Sequence, residues 1–245
     1  MWNGKKVSVV FGTYREKDSI RQAIEDFFAT GLVDEIIVVN NNAERGTDEE
    51  VRKTMARLVH EERQGVGYSF QRGIQEAGGD YIVLAEPDGT DSSADLKNFL
   101  EVAADYQIVF GTRTNKKNIM EGAAMGELRR LANVLEGNII EILFKTTHPV
   151  TDIGCHYKLM HREIAERFMP LWRERGALFP TEIILLATAH KIKSTEIPIT
   201  FRKRIGKSSL TAHWYHLVKW GLYILGFIIV FWVCWVWSGL KKIWD

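Results

Sequence analysis

Glu86, Asp88 and Asp91 lie within six positions of one another, and carboxylate oxygens that close together are the hard ligands preferred by Mg2+ or Mn2+. The same stretch also reads as an acidic turn punctuated by Pro87 and Gly89. Gly12-Thr13-Tyr14-Arg15-Glu16 offers a ring that can stack on a flat ligand, next to a hydroxyl and a carboxylate. In Asn40-Asn41-Asn42 the Asn41 Oδ1 can accept from a ring N–H, although asparagine runs also build left-handed turns. Arg63-Gln64-Gly65-Val66-Gly67 opens a helix whose N–H groups can approach a phosphate or simply begin the helix. Arg113, Arg129 and Arg130 carry the guanidinium fork that suits oxyanions, and the last two fit a solvated helix face equally well. Asp152, in Thr-Asp-Ile-Gly-Cys, is a lone carboxylate able to act as a general base or to cap the element after it. Arg202, Arg204 and Lys207, with Ser208, form a basic segment further on.

These clusters need a scaffold. Apolar runs at Lys6–Phe11, Glu35–Val39, Tyr81–Ala85 and Gln107–Phe110 predict strands, with a weaker one near Arg57–His60. Helical patterns lie between them: Asp18–Thr30 with Asp18 as N-cap and Gly31 after its end, a capping box from Thr47 to Glu50, Val66–Ala77, Ser93–Ala104, and later Leu131–Phe144. Strands alternating with helices predict a mostly parallel sheet covered on both faces, with ligands at the carboxyl ends of its strands. The turns after four of the predicted strands are Gly12–Glu16, Asn40–Asn42, Glu86–Asp88 and Gly111–Arg113, so four clusters fall on one edge.

The 245 residues carry a net charge of +1, which argues against a nucleic-acid binder. The sum hides a division. Residues 1–196 hold 25 basic and 30 acidic side chains, whereas residues 197–245 hold seven basic and one acidic. Two cysteines 79 positions apart, with no paired-ligand spacing, give neither a disulfide framework nor a zinc site. The five-residue apolar run Val7–Phe11 reads as a strand, not a signal peptide, so a cytosolic domain is expected.

Trp220–Leu240 is 21 residues without a charge, a helix of about 32 Å, which matches a bilayer core. With five positive residues shortly before it and two after, the expectation is a single-pass C-terminal anchor that leaves the large domain in the cytosol. A buried core helix, and an interfacial helix or one that pairs with another copy into a homo-oligomer, are the alternatives. The organisation expected is therefore a catalytic domain at 1–211 and a juxtamembrane segment with a membrane helix at 212–245.

The ordered motifs resemble the family-2 glycosyltransferases over residues 5 to 210. VSVVFGTYREKDSI stands where that family has a strand and a Pro-Thr-Tyr-Asn-Glu-like turn. EIIVVNNNAERGTDEEV is similar to its Val-Asp-Asp segment, GVGYSFQRGIQEAGGDYIVLAEPDGT to its Gly-rich helix, strand and acidic motif, and EIPITFRKRIGKSSL carries its Arg-x-Gly-x-Ser as Arg204, Gly206 and Ser208. Glu86 stands for the first Asp of the usual Asp-x-Asp, and Asn41 for an Asp. Within the family, the polyprenyl-phosphate (dolichol-phosphate mannose or glucose) sugar synthases are the nearest likeness.

The resemblance implies an α/β, Rossmann-like nucleotide-sugar-binding fold (GT-A) with one C-terminal transmembrane helix, and an inverting, metal-dependent hexosyltransferase. It implies Mg2+ or Mn2+ on Asp88 and Glu86, and a nucleotide-diphosphate sugar held by Thr13, Tyr14, Glu16, Asn41, Gly65, Arg202 and Ser208. Arg113, Arg129 and Arg130 would hold the acceptor phosphate. Asp88, Asp152 and Arg204 would be catalytic, with Asp152 a base for a hydroxyl acceptor or an orienting group for a phosphate one. The acceptor implied is a polyprenyl phosphate at a membrane, or alternatively a hydroxyl of a glycolipid or polysaccharide.

Overall fold

A computed structural model describes residues 1–146, 148–206 and 214–237, the backbone alone for 214–217. The apolar runs become strands because they can be buried on both sides. β1 (Val7–Thr13) places Val9 and Phe11 in one core and Val10 in the other, the alternation that a sheet covered on both faces demands. β2 (Glu35–Asn40) and β4 (Tyr81–Ala85) flank it in parallel, and β3 (Arg57–His60) pairs in parallel with β2.

The helices between them carry apolar stripes. α1 (Lys17–Ala29) buries Ile20, Ile24 and Phe27 at helical spacing. It ends as expected, with Gly31 at φ +68° donating to Phe28 O. Its cap, however, is Glu16, and Asp18 lies inside the first turn. α2 (Thr47–Arg52) starts from Gly46 at φ +96°. The capping box does not form: Thr47 Oγ1 donates backwards to Glu44 O, and Glu50 pairs with Lys53. α3 (Val66–Glu76) and α4 (Leu96–Val102, continuing a single 3-10 turn at Ser93–Asp95) complete this half.

The second half adds β5 (Ile108–Thr112), α5 (Glu127–Phe144), β6 (Lys158–His161), α6 (Arg162–Phe168), α7 (Phe179–Ala189) and β7 (Ser194–Pro198). The sheet order is β3-β2-β1-β4-β6-β5-β7; β6 is antiparallel to β4 and β5, and β7 is parallel to β5. The chain moves outward from β1 through β2 to β3 and then returns to β1's other side as β4. This reversal opens a crevice at the carboxyl ends of β1 and β4, where such sheets bind ligands.

α8 (Trp214–Trp237) is, among the described residues, the one helix long and apolar enough to cross a membrane, with a mean hydropathy of 2.0 over Val218–Trp237. It does not stand clear of the domain. Ile224 and Ile228 are buried against the core, Trp232 Nε1 donates to Leu143 O at 3.1 Å, and the Trp235 and His190 rings meet edge-on at 5.4 Å.

Candidate active site at the carboxyl edge of the sheet

Glu16, one turn past β1, turns its carboxylate back onto its own loop: Oε2 accepts from the backbone N–H groups of Tyr14 (2.7 Å) and Arg15 (2.8 Å). Its other oxygen faces Arg204 Nη2 at 3.1 Å. The same guanidinium reaches Asp88, past the end of β4, with Nη1 at 2.9 Å from Oδ2. Asp88 is fully buried, and its Oδ1 accepts from Thr90 N and Oγ1. Oδ2 has no directed hydrogen bond, so its contact with Arg204 is ionic only. Burial and the neighbouring Glu86 charge push the Asp88 carboxyl above its ordinary value, against the pull of Arg204.

Glu86 goes the other way. Burial raises it, but the His156 ring and the Arg204 and Arg113 guanidiniums outweigh that and hold it low. His156 Nδ1 is 3.4 Å from Glu86 Oε1, the ring stacks on Phe70, and neither ring nitrogen has a hydrogen bond. Asp91 accepts from Glu86 N at 2.8 Å and thereby fixes the turn. Glu86, Asp88 and His156 thus meet at one strand end, with orphaned buried atoms on the last two. No trio of His, Cys, Asp or Glu converges on a single metal position among the described residues.

Past β5, Arg113 and Asp152 form a buried bidentate pair, Nε to Oδ2 at 2.7 Å and Nη2 to Oδ1 at 2.8 Å, with Arg113 N also donating to Oδ2. Asp152 is wholly buried, and although burial alone would raise its carboxyl, Arg113 lowers it. Of the two readings of Asp152, a base or an orienting group, the geometry fits the second, because both its oxygens are committed to Arg113. Behind it, Glu196 on β7 accepts from Thr151 N, Thr151 Oγ1 and Asp152 N, which ties the Asp152 loop to the sheet.

Arg129, at the start of α5, donates to Ala124 O and lies near enough to Arg113 that burial and then that like charge lower its affinity for a proton. Arg130, whose side chain is 19% exposed, pairs through Nε and Nη2 with Glu127 of the same helix. Arg202 donates to Ser92 Oγ at 2.8 Å, beside the crevice. Ser208 and Lys207 lie outside the described residues.

Two nucleotide-side expectations are corrected. Asn41 is buried, and its amide is spent within the protein: Nδ2 donates to Glu61 O and Arg63 O, and Oδ1 accepts from Gly65 N and Gln64 Nε2. It has no free valence for a base; it fastens the loop between β3 and α3. Gly65 N is consequently unavailable to a phosphate. That residue is glycine because a side chain would collide with Arg175 O, 2.2 Å from the Cβ position. Thr13 is buried, and Tyr14 is 41% exposed with the Arg15 guanidinium 5.0 Å from its ring centre. Asn42 has the left-handed backbone that its residue type allows, at φ +59°.

Sequence reasoning gave His156 no role, and it overlooked Glu196 and the clamp that Glu16 makes on Arg204. An isolated histidine and a glutamate inside a strand carry no spacing signal, and the clamp joins residues 188 positions apart.

This crevice, at the switch point of a mostly parallel sheet with one reversed strand, is the architecture of the GT-A glycosyltransferases. Residues 8–169 match the family model described as "Glycosyl transferase family 2", and the chain belongs to that family. It is 28% identical over 208 residues to the dolichyl-phosphate hexose transferase of Haloferax volcanii, covering 83% of this chain and 86% of that one. It is 21% identical over 235 residues to the dolichyl-phosphate beta-glucosyltransferase of Saccharomyces cerevisiae, covering 84% and 70%. Among solved structures, glucosyl-3-phosphoglycerate synthase from Mycobacterium tuberculosis, in complex with Mn2+, uridine diphosphate and phosphoglyceric acid, superposes with a TM-score of 0.70 at 16% identity, covering 95% of this chain and 78% of that one.

Proposed function

We propose that this protein is an inverting glycosyltransferase that moves a hexose from a nucleotide-diphosphate sugar to a polyprenyl phosphate at a membrane, with the catalytic domain on the cytosolic side. The observation that carries the acceptor half is the Arg113–Asp152 pair. A hydroxyl acceptor must lose a proton to a base, and the carboxylate expected to take it is locked onto a guanidinium. A phosphate acceptor is already ionised near neutral pH; it needs cations, and Arg113 and Arg129 supply them. The names of the two relatives above support the same acceptor class.

On the donor side Tyr14 stacks on the base, and Arg202 and Arg204 face the diphosphate. An acceptor phosphate oxygen attacks the anomeric carbon from the side opposite the leaving group. The bond from that carbon to the diphosphate oxygen breaks, and its electron pair stays on the nucleoside diphosphate, beside Arg204. The donor set fits a divalent cation such as Mg2+ or Mn2+, because two carboxylates share one strand end and Asp88 Oδ2 has no directed hydrogen bond. Asp88 and Glu86 would hold the ion, which would offset charge on the departing diphosphate.

The test is transfer by the detergent-purified chain from labelled nucleotide sugars to polyprenyl phosphate. A phosphodiester-linked lipid product that needs Mg2+ or Mn2+ is expected; transfer to a glycolipid hydroxyl, with none to the phosphate, would overturn the acceptor assignment.

A further inference from the structure

Both halves of α8 are apolar, yet only one meets the domain. Ile224, Ile228 and Trp235 face inward, while Leu222, Tyr223, Val230, Val236 and Trp237 are exposed. The contacts run along the helix. Gly221 sits against Glu136, Phe231 against Phe144, Trp232 against Leu143 and Trp235 against His190. From Gly221 to Trp235 the helix rises about 21 Å, most of a hydrocarbon core of about 30 Å. Were α8 to cross a bilayer, the ends of α5 and α7 would be drawn in with it, and with them exposed Lys145, exposed Lys191 and the Arg167 guanidinium that meets His190 at 3.1 Å. Charges at that depth are strongly disfavoured.

α5 shows the same one-sidedness. Leu128, Leu131, Leu135 (62% exposed) and Ile142 (75% exposed) fall within a sector of about 60° at 100° per residue. That sector adjoins the one holding Ile139 and Leu143, which pack into the core beside α8. The two helices run side by side in the same direction, since Glu136 lies at Gly221 and Phe144 at Phe231.

We infer that α5 and α8 together form one apolar face that lies in the plane of an anionic phospholipid surface, so that α8 attaches the protein without crossing. The charge pattern selects this occupant. Lys219, Lys145 and Lys191 are exposed along the two helices and α7, α8 carries no acidic residue, and residues 197–245 hold seven basic side chains against one acidic. Tyr223 and Trp237 supply the amphipathic rings that settle at headgroup level. The inference rests on the membrane attachment proposed above and adds its geometry: α5, which brings Arg129 to the active site at its first turn, is itself part of the docking face.

The test uses the full chain with vesicles of phosphatidylcholine alone or mixed with phosphatidylglycerol. Leu135→Glu on α5 and Val230→Glu on α8 are expected each to weaken flotation roughly tenfold or more, with unchanged circular dichroism and urea midpoint, and phosphatidylglycerol is expected to strengthen binding of the parent. In a Cys234→Ala chain, a cysteine reporter placed by Asp245→Cys is expected to react with a membrane-impermeant maleimide added on the domain's side. A Leu135→Glu variant that binds like the parent, together with a reporter shielded until detergent is added, would overturn the in-plane geometry and leave membrane attachment standing. No flotation at all, with a detergent-free dimer that Leu135→Glu and Val230→Glu both dissociate, would overturn both and assign the face to a second copy of the chain.

Discussion

Arg204 bridges Glu16 and Asp88, with one guanidinium nitrogen at 3.1 Å from the first and another at 2.9 Å from the second. It thereby joins the loop after β1 to the loop after β4 and sets a positive charge against a carboxylate proposed above to hold a metal. Removing that charge should act on two properties in opposite directions. Arg204→Ala should lower transfer about 100- to 1,000-fold, the usual effect of deleting a charge that stabilises a leaving group. It should also tighten Mn2+ binding by the donor-free protein, because the competing cation is gone. Electron paramagnetic resonance titration of Mn2+ reads the second effect directly, and weaker Mn2+ binding in the variant would contradict this view of the bridge.

Asp152→Asn should be judged first by stability. It leaves the buried Arg113 without its counter-charge, a loss of about 3–5 kcal/mol in urea unfolding. Arg113 holds the Asp152 carboxyl below its ordinary value of 3.8. The folded state therefore binds fewer protons than the unfolded one just below that pH, and the stability this contributes, intact above about pH 4, fades as the solution is acidified further. The variant should lack that part of the acid limb. A variant as stable as the parent but inactive only toward a hydroxyl acceptor would restore the base role.

Asn41→Asp tests whether this side chain reads a base or fastens a loop. The carboxylate cannot donate to Glu61 O and Arg63 O, so the loop should loosen, with a cost of about 1–3 kcal/mol. The nucleotide-sugar KM should rise for every base alike. A change in base preference at unaltered stability is the opposite outcome, and a thermal-unfolding series with several nucleotide diphosphates separates the two.

Glu196 makes a pH prediction of the opposite sign to Asp152. Burial raises its carboxyl to about 7 despite its hydrogen bonds from Thr151 and Asp152. The folded state thus binds more protons than the unfolded one between about 4.5 and 7, and the contribution, complete below that window, is lost as pH rises through it. Glu196→Gln cannot ionise, so its melting temperature minus that of the parent should grow between pH 5 and pH 8. A difference flat across that range would contradict a Glu196 carboxyl raised to about 7.

The sheet was legible where apolar runs are uninterrupted. Val7, Val9 and Val10 of β1 and Tyr81–Ala85 of β4 can only be buried, so their strands and the turns beyond them could be placed. β6, by contrast, is the four residues Lys158–His161, whose lysine is fully buried and donates to Cys155 O, so only the pair Leu159 and Met160 marks it as interior. The site divides in the same way. Which edge is functional followed from where polar clusters interrupt apolar runs, but what each side chain does depended on partners far along the chain. Asn41 finds its partners about 20 positions away and Asp152 meets Arg113 at a distance of 39, so a loop fastener and a base look alike in sequence.

β6 runs against its neighbours: Lys158, at its start, lies opposite Leu84 near the end of β4, and also opposite Phe110 in the middle of β5. A strand reversed in this way begins on the edge where the others finish, so the residues just before it, Thr151 to Tyr157, are delivered to the crevice without a crossover. The crevice is consequently assembled from two kinds of chain segment, departures from parallel strands on the Tyr14 and Asp88 side and one arrival carrying Asp152 and His156. That single arrival therefore touches both sides of the crevice at once, Asp152 holding Arg113 on one side while His156 stands 3.4 Å from Glu86 on the other.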